Sequence, residues 1–385
     1  MKTTRRRVMA GALAATVALA LAGCVQSANQ APSGSNSGSK HTLTVFVSAD
    51  TNIQDLWQKT LIPAFEKANP SYTVKVDFDL HGVHDQQTVA KITAATVQKR
   101  DPGYDIVDAG FVQQLSTSGL LATATPKQIP NLSKVAEAIR QPGGANSVPY
   151  RASSVLLAYN SDKISSPPKT VDDLLAWIKA NPGKFTYCSP ASGGSGGAFV
   201  TTVLDKSIPS ADRAKMVTEY EPNLETDWNA GWATLRSLNP YVYQQGVYPN
   251  GNNQVLDLLS SGQILMAPVW SDQFTSGVQS GQIPKNIKAT QTTPSLTGGA
   301  SYLGVLKASP RAKDAYKLLN WLLTPSAQAS ISQSVAGYPV IPLKELPQSI
   351  QTEFANAQID KLRPTYQAQM NNDMNQQWSQ QVPGK

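Results

Sequence analysis

Gly193-Gly194-Ser195-Gly196-Gly197 reads G-x-S-x-G, the turn that in some hydrolases lifts a serine nucleophile between a strand and a helix. That chemistry needs an acidic residue and then a histidine further along the chain, to take the serine proton. The three histidines, His41, His81 and His84, all precede Ser195, so the general base is missing from its place and no catalytic residue is assigned. Glycines in this number suit another task, in which backbone N–H groups and a helix N-terminus face a ligand oxygen, with Ser195 beside them. A second grouping, Trp270-Ser271-Asp272, sets an aromatic face next to a carboxylate. Cation–π attraction and a salt bridge would then recognise an organic cation, although the same indole could stack on a sugar ring. A third, Asp77, Asp79, His81, His84 and Asp85, could supply imidazole and carboxylate ligands to a metal. Polar residues also gather wherever a strand leaves the core for solvent, and no metal is assigned. Tyr241 and Tyr243 would share a strand face, but no other ligands converge on them.

The elements that position these groups follow from periodicity. His41 to Ser48 is β-rich and apolar, and a helix follows from about Ile53, with Leu56, Trp57, Leu61 and Phe65 near one face. Tyr72 to Leu80 alternates as a strand, Thr88 to Lys99 is a short amphipathic helix, and Tyr104 to Ala109 is a third strand. This alternation predicts a parallel sheet with crossover helices. Ligands of such sheets bind beyond the carboxyl ends of the strands, which puts weight on Asp50 and Asp108. Ser147 to Asn160 is a long extended stretch able to pass between lobes, and it carries Tyr150 and Arg151. Arg151 suits a carboxylate or phosphate group, or an ion pair with Asp108. Lys184 to Cys188 predicts a strand running into the Gly-rich turn, Ile264 to Trp270 a buried strand, and Ser301 to Lys307 a return strand with Tyr302 as a wall. Helices are expected at Thr170 to Ala180, Ala198 to Asp205, Asp227 to Leu238, Asn253 to Ser260, Ala312 to Ala329 and from Gln348 onward.

The N-terminus addresses the chain. Lys2, Arg5, Arg6 and Arg7 precede an apolar run, Val8 to Leu21, of about 14 residues, too short for the roughly 20 that span a bilayer. With Leu21-Ala22-Gly23-Cys24 closing it, the segment fits a cleaved export signal. Ser27 to Lys40 holds Ser, Asn, Gly, Ala and Pro but no large apolar side chain, the composition of a flexible tether. The net charge is +7, and the four cations just named leave with the signal, so the remainder carries +3. No dense Lys/Arg run remains, which argues against a nucleic-acid partner. Cys24 and Cys188 are the only cysteines. If Cys24 is taken up by a modification, Cys188 has no disulfide partner and is expected as a small buried side chain. The chain is longer than one core usually supports, so two lobes are expected.

Five segments taken in order resemble extracellular solute-binding proteins of ABC importers, of the type II, two-lobe kind: TVFVSADTN, VPYRASSVLLAYN, PPKTVDDLLAWIKANPGKFTY, SSGQILMAPVWSDQ and YLGVLKASPRAKDAYKLLNWLLTPSAQ. The box at Cys24 resembles the bacterial lipoprotein signal, in which the cysteine is acylated. The second and third segments, with Ala198-Phe199-Val200, look closest to a branch near the thiamine, iron and polyamine binders, and the polyamine binders carry a Trp and an Asp in a place similar to Trp270 and Asp272. The resemblance implies an α/β fold of two lobes, each a mixed, mainly parallel sheet flanked by helices, with the ligand cleft between them. Lobe 1 would be 41–151 and 291–335, and lobe 2 152–290 and 336–385. It implies a monomer, tied by lipid on Cys24 to the outer face of a bacterial membrane or held in the periplasm. Such a protein closes on a small solute and passes it to a permease driven by an ATPase. No cofactor is called for. The expected contacts are Asp50, Asp108, Tyr150, Ser195, Trp270, Asp272 and Tyr302, around a small polar solute, cationic in the manner of a polyamine or thiamine, or else a carbohydrate. A ligand sensor for a membrane kinase and a serine hydrolase are the readings from other classes.

Overall fold

The computed structural model describes residues 40–355 and 362–384. The signal segment 1–23, Cys24 and the tether up to Ser39 lie outside the described residues. Seven strands form one mixed sheet: β1 (His41–Ala49), β2 (Tyr72–Leu80), β3 (Ile106–Asp108), β4 (Ser147–Asn160), β5 (Met266–Trp270), β6 (Ile287–Thr290) and β7 (Gly298–Val305). Their order is β2-β1-β3-β7-β4-β5, with β6 also paired to β4. β1 is parallel to β2 from His41 opposite Tyr72 to Ala49 opposite Leu80, and parallel to β3 on its other side. β7 runs antiparallel to β3 and β4, and β5 and β6 run antiparallel to β4. The sheet is thus mixed but less parallel than expected. One cause lies at Lys184–Cys188, where the expected strand reduces to a single parallel bridge between Phe185 and Met266.

β4 is the shared element. Its first part, through Ser154, pairs with β7, and from Val155 onward it pairs with β5. Two separate cores flank that change of partner. One gathers Leu43, Val45, Val47, Trp57, Phe65, Val148 and Leu303, and the other Phe185, Tyr187, Phe199, Trp228, Trp232 and Trp378. Val340, Ile341, Leu346, Ile350 and Phe354 pack into the first core, whereas the expectation grouped 336–385 with the second. Those apolar positions follow directly on the helix Pro325–Val335, whose Ile331 and Val335 belong to the same core. The second core receives the chain again at Tyr366 and along the helix Ala368–Gln381.

The N-terminal helix is not uniform. Thr51–Asp55 and Ile62–Ala68 are α-helical, but Leu56–Leu61 between them is wound as a π-helix. Leu56, Trp57, Leu61 and Phe65 are all buried, as their spacing requires. Trp57 lies in the widened stretch, and its indole N–H reaches Asp108 at the end of β3.

Gln328, fully buried in the helix Pro325–Val335, ties three chain segments together. Its amide nitrogen donates to the backbone carbonyls of Tyr150 (2.7 Å) and Leu322 (2.9 Å), and its oxygen accepts from Val340 N (3.0 Å). Gln328→Leu keeps the volume but strands three backbone groups, at a cost of about 2–4 kcal/mol. Chemical denaturation should show that loss in the transition midpoint; an unchanged midpoint would show that the three groups find other partners.

Candidate ligand-binding cleft

Two adjoining cavities, of 530 and 390 Å³, open where the carboxyl ends of β1–β3 face the starts of the helices Gly194–Asp205, Asn252–Ser260, Ser271–Gln279 and Ala368–Gln381. They share Ser48, Arg151, Ser153 and Trp270 in their walls. Asp50 follows β1 and lines the larger cavity with Trp270 and Asp272, which lie at the end of β5 and the start of the helix Ser271–Gln279. Asp108, Trp270 and Tyr302 line the smaller one. Tyr302 is turned so that its hydroxyl donates to Ile139 O (2.8 Å). Tyr150 and Ser195 are fully buried and stand behind the wall rather than in it.

A buried chain of polar groups runs along and behind the wall. The Trp57 indole (2.8 Å) and the Tyr150 hydroxyl (2.6 Å) both donate to Asp108 Oδ2. Arg151 Nε donates to the Tyr150 oxygen (2.9 Å), and its terminal nitrogen reaches Asp272 Oδ2 (2.9 Å). Burial raises the Asp108 and Asp272 pKa values, and the Arg151 guanidinium offsets part of that rise. Burial likewise works against the Arg151 charge, but Tyr150, Asp272 and Asp108 outweigh it and the guanidinium stays charged. The Arg151–Asp272 pair joins β4 to the helix Ser271–Gln279, and Arg151 meets Asp108 only through Tyr150, in place of the direct ion pair that was one of the expectations.

The Gly-rich turn does bring a helix N-terminus to the cleft. Gly193 and Gly194 line the larger cavity where the helix Gly194–Asp205 begins. The glycines answer to close packing: a Cβ on Gly194 would sit 2.9 Å from the Trp270 ring, and one on Gly196 would sit 1.8 Å from Cys188 O. Ser195 Oγ donates to Asn252 Oδ1 (2.7 Å), and Asn252 Nδ2 donates across the cleft to Asp50 Oδ2 (2.7 Å). An amide oxygen cannot take up the serine proton, so this contact holds the turn and does not activate Ser195. Cys188 lies beneath, and burial pushes its thiol up to about 11.

His81 and His84 serve different carboxylates. His84 Nδ1 and its backbone N–H both meet Asp79 (2.9 and 2.7 Å), while His81 Nδ1 lies 2.7 Å from Asp50 Oδ1. His81 adopts a left-handed φ of 60°, uncommon for a residue with a side chain. Its contact with Asp50 raises the imidazole pKa, opposed by burial. Among the described residues, no group of three or more His, Cys, Asp and Glu side chains is placed to hold a metal. Tyr243 stands apart from the cleft, in a separate surface hollow.

Sequence reasoning did not place Asn52, Asp85, Asn252, Gln273, Asn371, Asn372 or Asn375 in the wall, and all line the larger cavity. The signal for the last three was present: Met370, Met374 and Trp378 mark the buried stripe of Ala368–Gln381, with amides on the flank. Asn52 Nδ2, Asp85 Oδ1, Gln273 Oε1 and Asn375 Oδ1 are buried atoms without a protein partner. Buried polar atoms are nearly always satisfied, so their convergence on one cavity describes a wall shaped for polar contacts.

A fold of this kind, with a polar cleft between two cores, meets its counterpart among known proteins. Residues 60–361 match the family model of bacterial extracellular solute-binding proteins, and the chain belongs to that family. Protein YnjB of Escherichia coli K12 is 24% identical over 246 residues, spanning 61% of this chain and 63% of that protein. The fold is that of the type II periplasmic binding proteins. A putative extracellular solute-binding protein from Bordetella parapertussis superimposes with a TM-score of 0.66 at 18% identity, over 89% of this chain and 98% of its own. A putative spermidine/putrescine ABC transporter protein from Listeria monocytogenes gives 0.64 at 14% identity, over 88% and 99%.

Asp85 yields a test of the cleft's electrostatics. Burial first, and then the Asp79 charge, push its carboxyl from 3.8 up to about 6, against a favourable bond from Ser48. The folded state therefore holds a proton that the unfolded state releases, and Asp85 favours the fold below about pH 4. That contribution is lost as the pH rises through about 6. Asp85→Asn should raise stability by about 1–2 kcal/mol at pH 7.5 and change it little at pH 4. Equal effects in thermal melts at the two pH values would contradict a strained carboxylate.

Proposed function

We propose that this chain is the substrate-binding component of an ABC importer, tethered by lipid on Cys24 to the outer face of the membrane, and that it captures a small polar solute by closure of its two halves. The observation that carries the reading is the cleft between two cores, walled by residues with unpartnered polar atoms and crossed by β4. Family membership supports solute capture, and a binder of this kind needs no catalytic group, in keeping with the inert setting of Ser195. The solute proposed is a nitrogenous cation. The larger cavity carries three carboxylates, Asp50, Asp85 and Asp272, against Arg151 and His81, and the Trp270 ring beside them suits a cation. The name of the Listeria protein, a spermidine/putrescine transporter, points the same way. A carbohydrate is the second reading, favoured by the run of amides Asn52, Asn252, Asn371, Asn372 and Asn375 along the wall.

Thermal unfolding against polyamines, thiamine, sugars, amino acids and metal ions tests this. A solute at about 100 times its Kd adds about 2.7 kcal/mol, and the expected outcome is an upward shift with one chemical class. No shift with any of them would count against small-solute capture. Cys24→Ala is expected to move the protein from the membrane fraction to the soluble fraction, and its retention on the membrane would overturn lipid tethering.

A further inference from the structure

Two of the three carboxylates in the larger cavity have a basic neighbour and the third has none. Asp272 is held by Arg151 at 2.9 Å, and Asp50 Oδ1 lies 2.7 Å from His81 Nδ1, a contact that pairs charges only when the imidazole is protonated. Asp85, the first residue of the helix Asp85–Val97, has no cation within 4.0 Å among the described residues, and its Oδ1 is buried without a hydrogen-bond donor. Its neighbours do not neutralise it: Asp79 adds a second negative charge and is itself occupied by His84, and Ser48 offers only a hydroxyl.

Two further atoms in the same cavity want a donor. Gln273 is 6% exposed, and its nitrogen is committed to Asn253, which fixes the unpartnered Oε1 as an acceptor. Asn375 Oδ1, on the helix Ala368–Gln381, is likewise buried and unpartnered. Three acceptors from three elements, one of them a carboxylate without a cation partner, therefore belong to residues that line one cavity. A hydroxyl could satisfy an amide oxygen, but only a cation offsets the cost of a buried carboxylate. A primary ammonium has three donors and no acceptor.

We propose that the solute carries a protonated primary amine, and that Asp85, Gln273 and Asn375 are the acceptors that hold it. This rests on the solute-capture reading and names the group captured. Asp85 lies just after β2, and Gln273 on the helix that follows β5. An amine bound to both would join those two elements. Asn52 Nδ2, an unpartnered donor in the same wall, asks for an oxygen elsewhere on the solute.

The test is titration calorimetry on the full-length protein with three four-carbon probes: putrescine, 4-aminobutan-1-ol and butane-1,4-diol. The two amines are expected to bind and the diol not. Asp85→Asn should weaken amine binding about 10- to 100-fold, the worth of a charge-assisted contact. Because the same substitution is expected to raise apo stability at neutral pH, misfolding cannot imitate the loss. Gln273→Ala should weaken binding by a smaller factor. Equal binding of diol and amine, or undiminished amine binding by Asp85→Asn, would overturn the proposal. Binding of sugars but of no amine would also overturn it, while leaving solute capture standing. No binding by amines, sugars or amino acids would overturn both.

Discussion

The buried run from Trp57 through Asp108, Tyr150 and Arg151 to Asp272 is the constraint on which the rest of the cleft depends. It begins in the π-wound stretch of the first helix, crosses the end of β3, passes along β4 and ends on the helix Ser271–Gln279. A guanidinium and two carboxylates out of water are tolerable only when each is paired and hydrogen-bonded, and here every link is about 2.6–2.9 Å. Removing one member of such a pair generally costs about 3–5 kcal/mol, because its partner is left buried and charged. The cores therefore cannot shift freely about β4 without disturbing this run. Its position at the change of partner, between Ser154 and Val155, makes it the joint around which the halves are held.

Around that joint the cleft divides into a settled part and an unsettled one. Arg151 and Asp272 satisfy each other, and Asp108 is enclosed by two donors, so these groups shape the wall more than they solicit a ligand. Asp50 already has His81 and Asn252. The unsettled part lies after β1, after β2 and along the last helix, where Asn52, Asp85 and Asn375 line the same cavity as Gln273. Carrying unpartnered groups there lowers the stability of the fold, the usual consequence of keeping a site ready for something else.

Much of the framework was legible. The strands at His41, Tyr72 and Ser147, the helices near Thr170 and Ala312, and the break at Pro325 follow from period, caps and proline, and the structure has them within a few residues. The strand expected at Lys184–Cys188 was not there, because β-branched and aromatic content cannot tell a paired strand from an extended segment held by one bridge. The π-winding at Leu56–Leu61 leaves the apolar spacing almost unchanged, and so is invisible in it. Trp270 and Asp272 were placed at a rim correctly by the rule of strand ends. Tyr150 and Ser195, which obey similar local rules, turned out to stand one layer behind.

The sequence by itself determined most of the strands and helices, that β4 is long enough to serve both halves, and that the chain resembles the solute-binding family. These are local matters of hydrophobic period, turn residues and segment order. Only the tertiary structure decided which charges neutralise one another. Arg151 is 121 positions from Asp272 and adjacent to Tyr150, and nothing in spacing favours Asp272 over Asp108 as its partner. The same holds for Asp85, whose isolation follows from what surrounds it in space. Charge pairing depends on distance and burial, and both exist only once the cores have packed.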